Sequence, residues 1–416
     1  MTRSGVGTLR LLSTALAATV LAVAVAACGS GGDASTTASQ TGLDTLTVYS
    51  SVPFRGPGAS AGRGIVNGEK LALAEANGKA GKYMLRYVSL DEAPRGTVDP
   101  GQAADNARRA VQDRSTIAYL DGGGDSSSKL SIPVLNEGGV LTVSPSSTYV
   151  GLTRTDGAAA GEPDKYYPSG KRTFGRVIPA DNVQAAAQAS WAKDEGCTST
   201  YVINDGQTYG TGLADAVAAD LQQQQITVAG NETIDPGDGD FGELAKKIKG
   251  SGADCVFFGG ESDSGSVRLW RQLHAADPQL KLFGPSALAT PAFARAIGPA
   301  GDVTYLTSPY LAPGSYPPGA RKFYAAYRKA YGTAPPPAAI YGYEAMQSVL
   351  QSVRAAGTKG NDRQAVVNAF LGIRDRDSVL GTYSINTTGD TTLSRYGGLR
   401  VKNGRLVFDQ VIETSS

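Results

Sequence analysis

The sequence predicts an α/β protein made of two doubly wound lobes, each with a mostly parallel sheet. Short β-rich segments alternate with helical patterns from Leu46 onward, and a second alternating series begins after Asp181. Such alternation is typical of βαβ units and parallel sheets. A long stretch follows both series, so we expect the chain to return to one lobe or both.

In the first series we expect five strands with helices between them. The helix predicted over residues 65–77 carries Ile65, Leu71 and Ala72 on one face, and Asn77-Gly78 is typical of a helix end. The predicted strands are residues 46–49, 85–88, 117–120, 140–143 and 174–178.

The second series repeats this arrangement. Its predicted strands are residues 200–203, 226–228, 255–258 and 281–283, and its predicted helices are residues 183–195, 213–224, 241–249 and 267–276. A long helix over 338–356 follows, with closing strands near 381–384 and 399–408.

Two similar segments suggest that the lobes face each other across a cleft. The third strand of each series ends in glycines, followed by acid and serine at a helix start: Asp125-Ser126 in the first and Glu261-Ser262 in the second. Ligands of open α/β sheets bind outside the carboxyl ends of the strands. We therefore expect both segments to form the walls of one cleft, although chance similarity of Gly/Ser-rich turns is an equally good explanation of the repeat alone.

The N-terminal residues have the features of a secretory signal. Arg3 and Arg10 precede an uncharged apolar run over residues 11–27, and Cys28 follows small residues. A cysteine at this point resembles the lipobox of bacterial lipoproteins, in which it becomes the lipidated first residue. We predict a signal peptide over 1–27, lipidation at Cys28, a flexible tether over 28–43, and attachment to the outer face of the bacterial cell membrane. An ordinary signal peptide with an incidental cysteine is the alternative.

Composition argues against nucleic acid as a partner. Without residues 1–27 the chain has 37 basic and 38 acidic side chains, and no basic stripe interrupts it. No later apolar run approaches the ~20 residues that cross a bilayer.

The remaining cysteines are predicted to pair. Cys197 precedes one predicted strand and Cys255 opens another, and the two strands are neighbours if they are the first and third of a doubly wound sheet. An oxidising compartment favours the disulfide, with two free buried thiols as the alternative.

Motifs along the whole chain beyond the tether resemble the periplasmic-binding-protein type I family, specifically the branched-chain amino-acid (Leu/Ile/Val) receptors of ABC importers. They include Asp125-Ser-Ser-Ser, Ser144-Pro-Ser-Ser-Thr148, Asn204-Asp-Gly-Gln-Thr-Tyr209-Gly and Phe257-Phe-Gly-Gly. The resemblance implies a three-segment hinge with crossings near Asp181, Ser286 and Tyr396. It gives lobes of residues 44–181 with 287–396, and 182–286 with 397–416.

The resemblance also implies a ligand site. Ser126, Ser146 and Thr148 match positions that hold the α-carboxylate and α-ammonium of the ligand, and helix starts and hydroxyls suit such groups. Tyr209 matches the tyrosine that closes over the ligand from the second lobe. The acid for the ammonium is Asp263 or Glu261, with Asp263 slightly favoured. Phe241 follows an acid where the family often has an aromatic; it either walls the pocket or belongs to the core.

Asp125 departs from the family pattern. It falls where the Leu/Ile/Val receptors have the first serine of the carboxylate site. A desolvated anion there repels a carboxylate and attracts a cation. Either the Asp125 side chain points away from the ligand and Ser126 binds the ligand carboxylate, or the ligand is not a simple apolar amino acid.

Catalysis is not expected. His274 is the only histidine, no histidine or cysteine cluster has metal-ligand spacing, and the glycines at 56, 58 and 62 lack dinucleotide-binding spacing. We therefore predict a monomeric solute-binding protein, without cofactor or metal, that captures an amino acid or similar small polar molecule for an ABC permease. A ligand-sensing receptor subunit without transport is the alternative.

Overall fold

Two separate, mostly parallel sheets organise the chain in the computed structural model, which describes residues 44–414. The predicted signal peptide, Cys28 and the tether lie outside the described residues. No helix within residues 44–414 is both long enough and apolar enough to cross a membrane.

The first sheet has six strands in the order β2-β3-β1-β4-β5-β6, and only the short β2 runs antiparallel to its neighbour. Its five predicted strands are all present. The elements are β1 (Thr45–Val52), α1 (Ala59–Glu75), β2 (Lys79–Ala80), β3 (Tyr83–Asp91), α2 (Pro100–Gln112), β4 (Thr116–Asp121), α3 (Asp125–Glu137), β5 (Leu141–Ser144) and β6 (Phe174–Arg176).

The second sheet has seven strands in the order β15-β14-β11-β10-β9-β7-β8. Five of them are parallel, and the last two form an antiparallel hairpin at one edge. The first elements of this lobe are α4 (Asp181–Asp194), β7 (Ser199–Asn204), α5 (Thr208–Gln223), β8 (Thr227–Thr233), α6 (Gly242–Ser251), β9 (Cys255–Gly259), α7 (Ser264–Ala276), β10 (Lys281–Gly284), α8 (Pro291–Ala296) and β11 (Thr304–Ser308).

The rest of the chain visits both lobes. The helices after β11 pack into the same apolar core as the first sheet, and the final hairpin then completes the second sheet. These elements are α9 (Ala320–Tyr331), α10 (Ala339–Ala355), α11 (Arg363–Leu371), β12 (Arg376–Asp377), β13 (Thr382–Tyr383), β14 (Arg395–Lys402) and β15 (Arg405–Glu413).

The second crossing falls later than the sequence predicts. We expected the chain to leave the second lobe near Ser286, so that residues 287–396 would belong to the first. Instead β11 pairs with β10 on one side and with β14 on the other. Residues 285–303 therefore form one more crossover connection of the second sheet, and the chain returns to the first lobe only after Ser308.

The predicted disulfide is present. Cys197 and Cys255 are bonded, with Cα atoms 5.9 Å apart, and Thr200 of β7 is the register partner of Cys255 in β9. Asp254 lies close to both sulfurs, and this is a possible metal-binding group among the described residues. Because both sulfurs are used in the disulfide, they supply no thiolate to a metal.

Helices α1 and α10 pack so closely that glycine is required at their contact. A Cβ atom on Gly68 would lie 2.1 Å from the carbonyl oxygen of Ala339, and one on Gly342 would lie 2.4 Å from that of Ile65. Since no real Cβ contact is that short, the two backbones approach only because both positions lack a side chain. This contact fixes α10 onto the first lobe.

We predict that Gly68→Ala lowers the free energy of unfolding by about 2 kcal/mol, because the added methyl group overpacks the contact between the helices. Urea denaturation would measure it. Gly250→Ala in α6 is the control, since a Cβ there meets no atom within 4 Å. It should leave stability unchanged or raise it by up to ~1 kcal/mol. Equal effects of the two substitutions would contradict the packing argument.

Candidate ligand-binding cleft

Helix N-termini from both lobes lie at the carboxyl ends of their sheets. In the first lobe α3 begins directly after β4, and in the second α5 follows β7 and α7 follows β9. The negative charge of Asp125, in the first-lobe segment, contributes to raising the pKa of Glu261, in the second-lobe segment. The repeated segments predicted to line a cleft therefore lie near each other.

Arg176, at the end of β6, organises the loop after β5. Its side chain is fully buried, and its Nη1 donates to the carbonyl oxygens of Ser147 and Tyr149, both at 3.0 Å. Its Nε pairs with Asp390 at 2.9 Å, and its Nη2 donates to Thr153. Burial alone would raise the pKa of Asp390, but the charge of Arg176, together with Arg154 and the hydroxyl of Thr153, outweighs it and holds that pKa below its usual value. The loop therefore has a fixed backbone.

Asp125, the first residue of α3, turns toward this loop. Its Oδ1 accepts the N–H of Tyr149 at 3.0 Å, and the N–H of Thr148 also stabilises the carboxylate. Burial raises the pKa of Asp125 above its usual value, while these N–H groups and the charge of Arg176 act in the opposite direction. The carboxylate is thus held by donors of its own lobe.

The predicted serine and threonine residues occupy different environments. Ser126 is exposed on α3, whereas the Oγ of Ser146 is buried and has no hydrogen-bond partner among the described residues. Thr148 is half-buried. Its carbonyl oxygen accepts the N–H of Asp181 at 2.9 Å, and its hydroxyl bonds to the Asp181 carboxylate.

A buried polar network lies where the chain first crosses between the lobes. Asp181 begins α4, and its Oδ1 accepts Nε2 of Gln184 at 3.2 Å. The same Nε2 lies 3.3 Å from the hydroxyl of Tyr209, while Oε1 of Gln184 accepts the N–H of Ser286 and the hydroxyl of Thr307. Burial, followed by the negative charge of Asp125, raises the pKa of Asp181 to about 7.

A cavity of about 300 Å³ opens beside this network. One wall is the first-lobe loop after β5, the opposite wall is α5 of the second lobe, and the start of α4 lies between them. Its lining residues are Tyr149, Val150, Asp156, Gly157, Asp181, Asn182, Tyr209, Gly212, Leu213, Asp215, Ala216 and Ala219. The cavity therefore lies between the lobes, as a ligand site of this fold should.

Of the two second-lobe acids, Glu261 is better placed than Asp263 for a ligand. Asp263 is the N-cap of α7, and its carboxylate accepts the N–H of Ser266 at 2.7 Å. Partial desolvation raises the pKa of Glu261, and the negative charges of Asp205 and Asp125 raise it further. Nearby like charges of this kind favour a cation beside Glu261.

Phe241 does not line the cavity. It is 4 % exposed and packs in the apolar core of the second lobe with residues such as Ile248, Phe258 and Leu273. Its backbone N–H, at the start of α6, donates to Gln272 at 2.6 Å. Of the two alternatives for Phe241, the structure therefore favours a core residue over a residue of the pocket wall.

Of the predicted ligand residues, Tyr209 alone lines the cavity, while Asp125 and Glu261 lie close enough to Asp181 to affect its pKa. Asp181, Asn182 and Tyr149 line the cavity although the sequence did not predict them as site residues. A signal was present for Asp181, because the predicted crossing between the lobes begins there. No pattern distinguished Asn182 or Tyr149.

Two further carboxylates are buried under α3. Ser127 donates to Glu92 at 2.6 Å, and Ser128 and Ser131 donate to Asp121 at 3.0 and 2.5 Å. Burial, followed by the charge of Asp121, raises the pKa of Glu92 to about 7, and burial raises that of Asp121 to about 6. One oxygen of each carboxylate has no partner among the described residues.

Comparison with known proteins agrees with this architecture. The family model described as periplasmic binding protein matches residues 45–405. The Leu/Ile/Val-binding protein BraC3 of Rhizobium johnstonii is 29 % identical over 87 % of this chain and 93 % of its own length.

Two solved structures are similar in fold. The substrate-binding protein of an ABC transporter from Desulfitobacterium hafniense, in complex with Leu, has a TM-score of 0.71 and 18 % identity, and covers 88 % of this chain and 100 % of its own. A solute-binding protein from Rhodopseudomonas palustris, in complex with p-hydroxybenzoic acid, has a TM-score of 0.69 and 18 % identity, over 90 % and 97 % of the two chains.

We predict that Glu92→Gln raises the free energy of unfolding more at pH 8 than at pH 5. The pKa of Glu92 is raised on folding, so the native state holds an extra proton and loses stability as the pH rises from about 4.5 through about 7. Glutamine stays neutral and removes this loss, which amounts to about 1–3 kcal/mol. Urea unfolding at both pH values measures the difference.

Glu137→Gln, at an exposed position in the last turn of α3, is the matched control and should show no such pH dependence. If the effect of Glu92→Gln were the same at pH 5 and pH 8, Glu92 would not be the group that takes up the proton.

Proposed function

The chain belongs to the periplasmic binding protein family, and from this premise we propose that it is a lipid-anchored, extracytoplasmic solute-binding protein of an ABC importer. It captures a small polar ligand, an amino acid or amino-acid-like molecule, between its two lobes and delivers it to the permease. This family consists of solute-binding proteins and not enzymes.

The observation that carries the proposal is the cavity of about 300 Å³ between the lobes. Ionisable and hydrogen-bonding side chains from the first lobe, the crossing and the second lobe surround it. Tyr209 comes from α5, Asp181 from the start of α4, and Tyr149 and Asp156 from the loop after β5. Relatives named as Leu/Ile/Val-binding proteins support an amino acid or a similar molecule as the ligand.

Ligand capture follows from the arrangement of the lobes. A molecule that contacts both walls stabilises the closed arrangement over the open one by its differential affinity for the two. The crossings after β6, after β11 and before β14 let the lobes rotate about a short hinge. The closed form is then the one that the permease binds.

Membrane attachment rests on Cys28. An acyl-modified cysteine ahead of the binding lobes would hold them at the membrane, near the permease. Processing at this residue also explains why small residues precede it.

We predict that residues 29–416 bind a member of a panel of common amino acids, amino-acid amides, amines and aromatic acids, with a thermal shift of several degrees at a hundredfold excess over Kd. The affinity should fall about tenfold in Tyr209→Phe, which removes the hydroxyl next to Gln184. Titration calorimetry with the bound compound measures the change.

Tyr201→Phe is the control. Its hydroxyl donates to Glu232 at 2.6 Å, outside the cavity, so its loss should leave Kd unchanged. A panel with no binding compound would argue against solute binding. Equal effects of the two substitutions would argue against this cavity as the site.

We also predict that Cys28→Ala abolishes incorporation of labelled palmitate by bacteria that express the full chain. The double variant Cys197→Ala/Cys255→Ala retains Cys28 and should still be labelled. Fluorography of the immunoprecipitated chain distinguishes the two. Label on the Cys28→Ala protein would mean that the acyl group is attached elsewhere.

A further inference from the structure

The donors that suit a ligand carboxylate in the first lobe are already occupied. A helix N-terminus with nearby backbone N–H groups is a general anion site. Here the Asp125 carboxylate lies at the start of α3 and takes the N–H groups of Thr148 and Tyr149. Arg176, the buried cation behind the loop, is paired with Asp390. An incoming carboxylate would find these groups engaged and a negative charge beside them.

The charged side chains that line the cavity, Asp156, Asp181 and Asp215, are all acidic. Asp125, Asp181 and Glu261 affect one another electrostatically, and none of them forms an ion pair with any described lysine or arginine. Lys129 is close enough to lower the pKa of Asp125, but its ammonium lies 4.1 Å from the ring centre of Tyr149. Arg176 is close enough to lower the pKa of Asp125 and Asp181, but no lysine or arginine is among the residues that line the cavity.

Hydrogen-bond capacity points in the same direction. The Oδ1 atom of Asn182, which lines the cavity, is buried and has no donor among the described residues. Asp156, Asp181 and Asp215 add further acceptors to the lining. An amide oxygen and carboxylates require a ligand that donates hydrogen bonds.

We propose, on the basis of the function proposed above, that the ligand is a small organic cation without a free carboxylate, namely a primary amine or guanidine on a short apolar chain. Asp181, which lines the cavity, binds the cationic group, and the negative charge of Glu261 adds to the attraction. Asp125 fills the anion position that a ligand carboxylate would otherwise occupy. The apolar part of the ligand packs against Val150 and Leu213.

Matched pairs of compounds that differ only by a carboxylate test the proposal. They are 3-methylbutylamine with leucine, agmatine with arginine, and cadaverine with lysine. Calorimetric titration of residues 29–416 at pH 8 should show that, in at least one pair, the amine binds a hundredfold or more tightly than its carboxylated partner.

The outcomes separate this inference from the function on which it rests. If a carboxylated member binds as well as its amine or better, the inference fails and solute binding stands. If no amine binds and the wider panel of amino acids, amides and aromatic acids also gives no binding, the proposed function fails as well. If that panel contains only a carboxylated or uncharged ligand, the inference alone is overturned.

Substitutions show which residues cause the preference for the amine over its carboxylated partner. Asp125→Ser should weaken amine binding at least tenfold and strengthen binding of the carboxylated partner, because it frees the N–H groups of the loop. Asp181→Asn should weaken amine binding without strengthening the partner, and it serves as the second test if Asp125→Ser does not fold. Asp409→Asn, exposed on β15, removes the same charge away from the cleft and should change neither. An unchanged preference in both cleft variants would overturn the proposal.

Proton linkage gives an independent readout. A bound cation favours the ionised form of Asp181, so amine affinity should fall by up to tenfold per pH unit as the pH drops below about 7. Asp181→Asn should flatten this dependence. The charged or titratable groups that face Asp181 are Asp125 from α3, Arg176 from β6, Tyr209 from α5, Glu261 after β9 and Tyr396 from β14. A steep pH profile that persists in Asp181→Asn would contradict this assignment.

Discussion

The pairing of Arg176 with Asp390 is the constraint on which the first-lobe side of the cleft depends. Arg176 is fully buried and Asp390 is 3 % exposed, so either charge alone would be very costly to bury. Together they join β6 to the segment that leads into β14, and the remaining guanidinium donors hold the carbonyl groups of the loop after β5. Because those carbonyls are fixed, the N–H groups of Thr148 and Tyr149 are fixed as well, and they determine where the Asp125 carboxylate lies.

The loop after β5 is linked to the second lobe by hydrogen bonds that pass through Asp181. The N–H of Asp181 donates to Thr148, its carboxylate accepts from Gln184, and Gln184 reaches Tyr209 of α5 and Thr307 of β11. A buried network of this kind is stable only when nearly all of its groups are paired. If α5 moves relative to the first lobe, the hydrogen bonds that link Tyr209, Gln184 and Asp181 therefore change, and Asp181 lines the cavity. Hinge motion and ligand binding therefore both involve Asp181, Gln184 and Tyr209.

Local sequence patterns were sufficient to predict the alternating elements, the pairing of Cys197 with Cys255 and the position of Tyr209 at the start of α5. Local patterns were insufficient where contacts between residues distant in the sequence determine whether a segment is a strand or where a side chain lies. Thr304–Ser308 becomes a strand because β10 and β14 lie on either side of it, and Phe241 belongs to the core because it packs in one cluster with residues of β9 and α7. In the sequence Asp181 is an ordinary acid in the first turn of a helix, whereas in the structure it is only 5 % exposed and contacts Thr148 of the first-lobe loop. The direction of Asp125 depends on Arg176, fifty-one residues away.

The acids around the cavity also couple ligand binding to closure. Asp125 belongs to the first lobe, Glu261 to the second and Asp181 to the crossing between them, and their like charges repel more strongly as the lobes approach and water leaves. Without a ligand this repulsion favours the open arrangement. A cation placed between Asp181 and Glu261 converts the repulsion into two attractions, so closure becomes favourable only when the ligand is bound. A carboxylate would add to the repulsion instead. If the protein delivers a cationic ligand to a permease, as proposed above, the charges that select the ligand also disfavour a closed form of the empty protein.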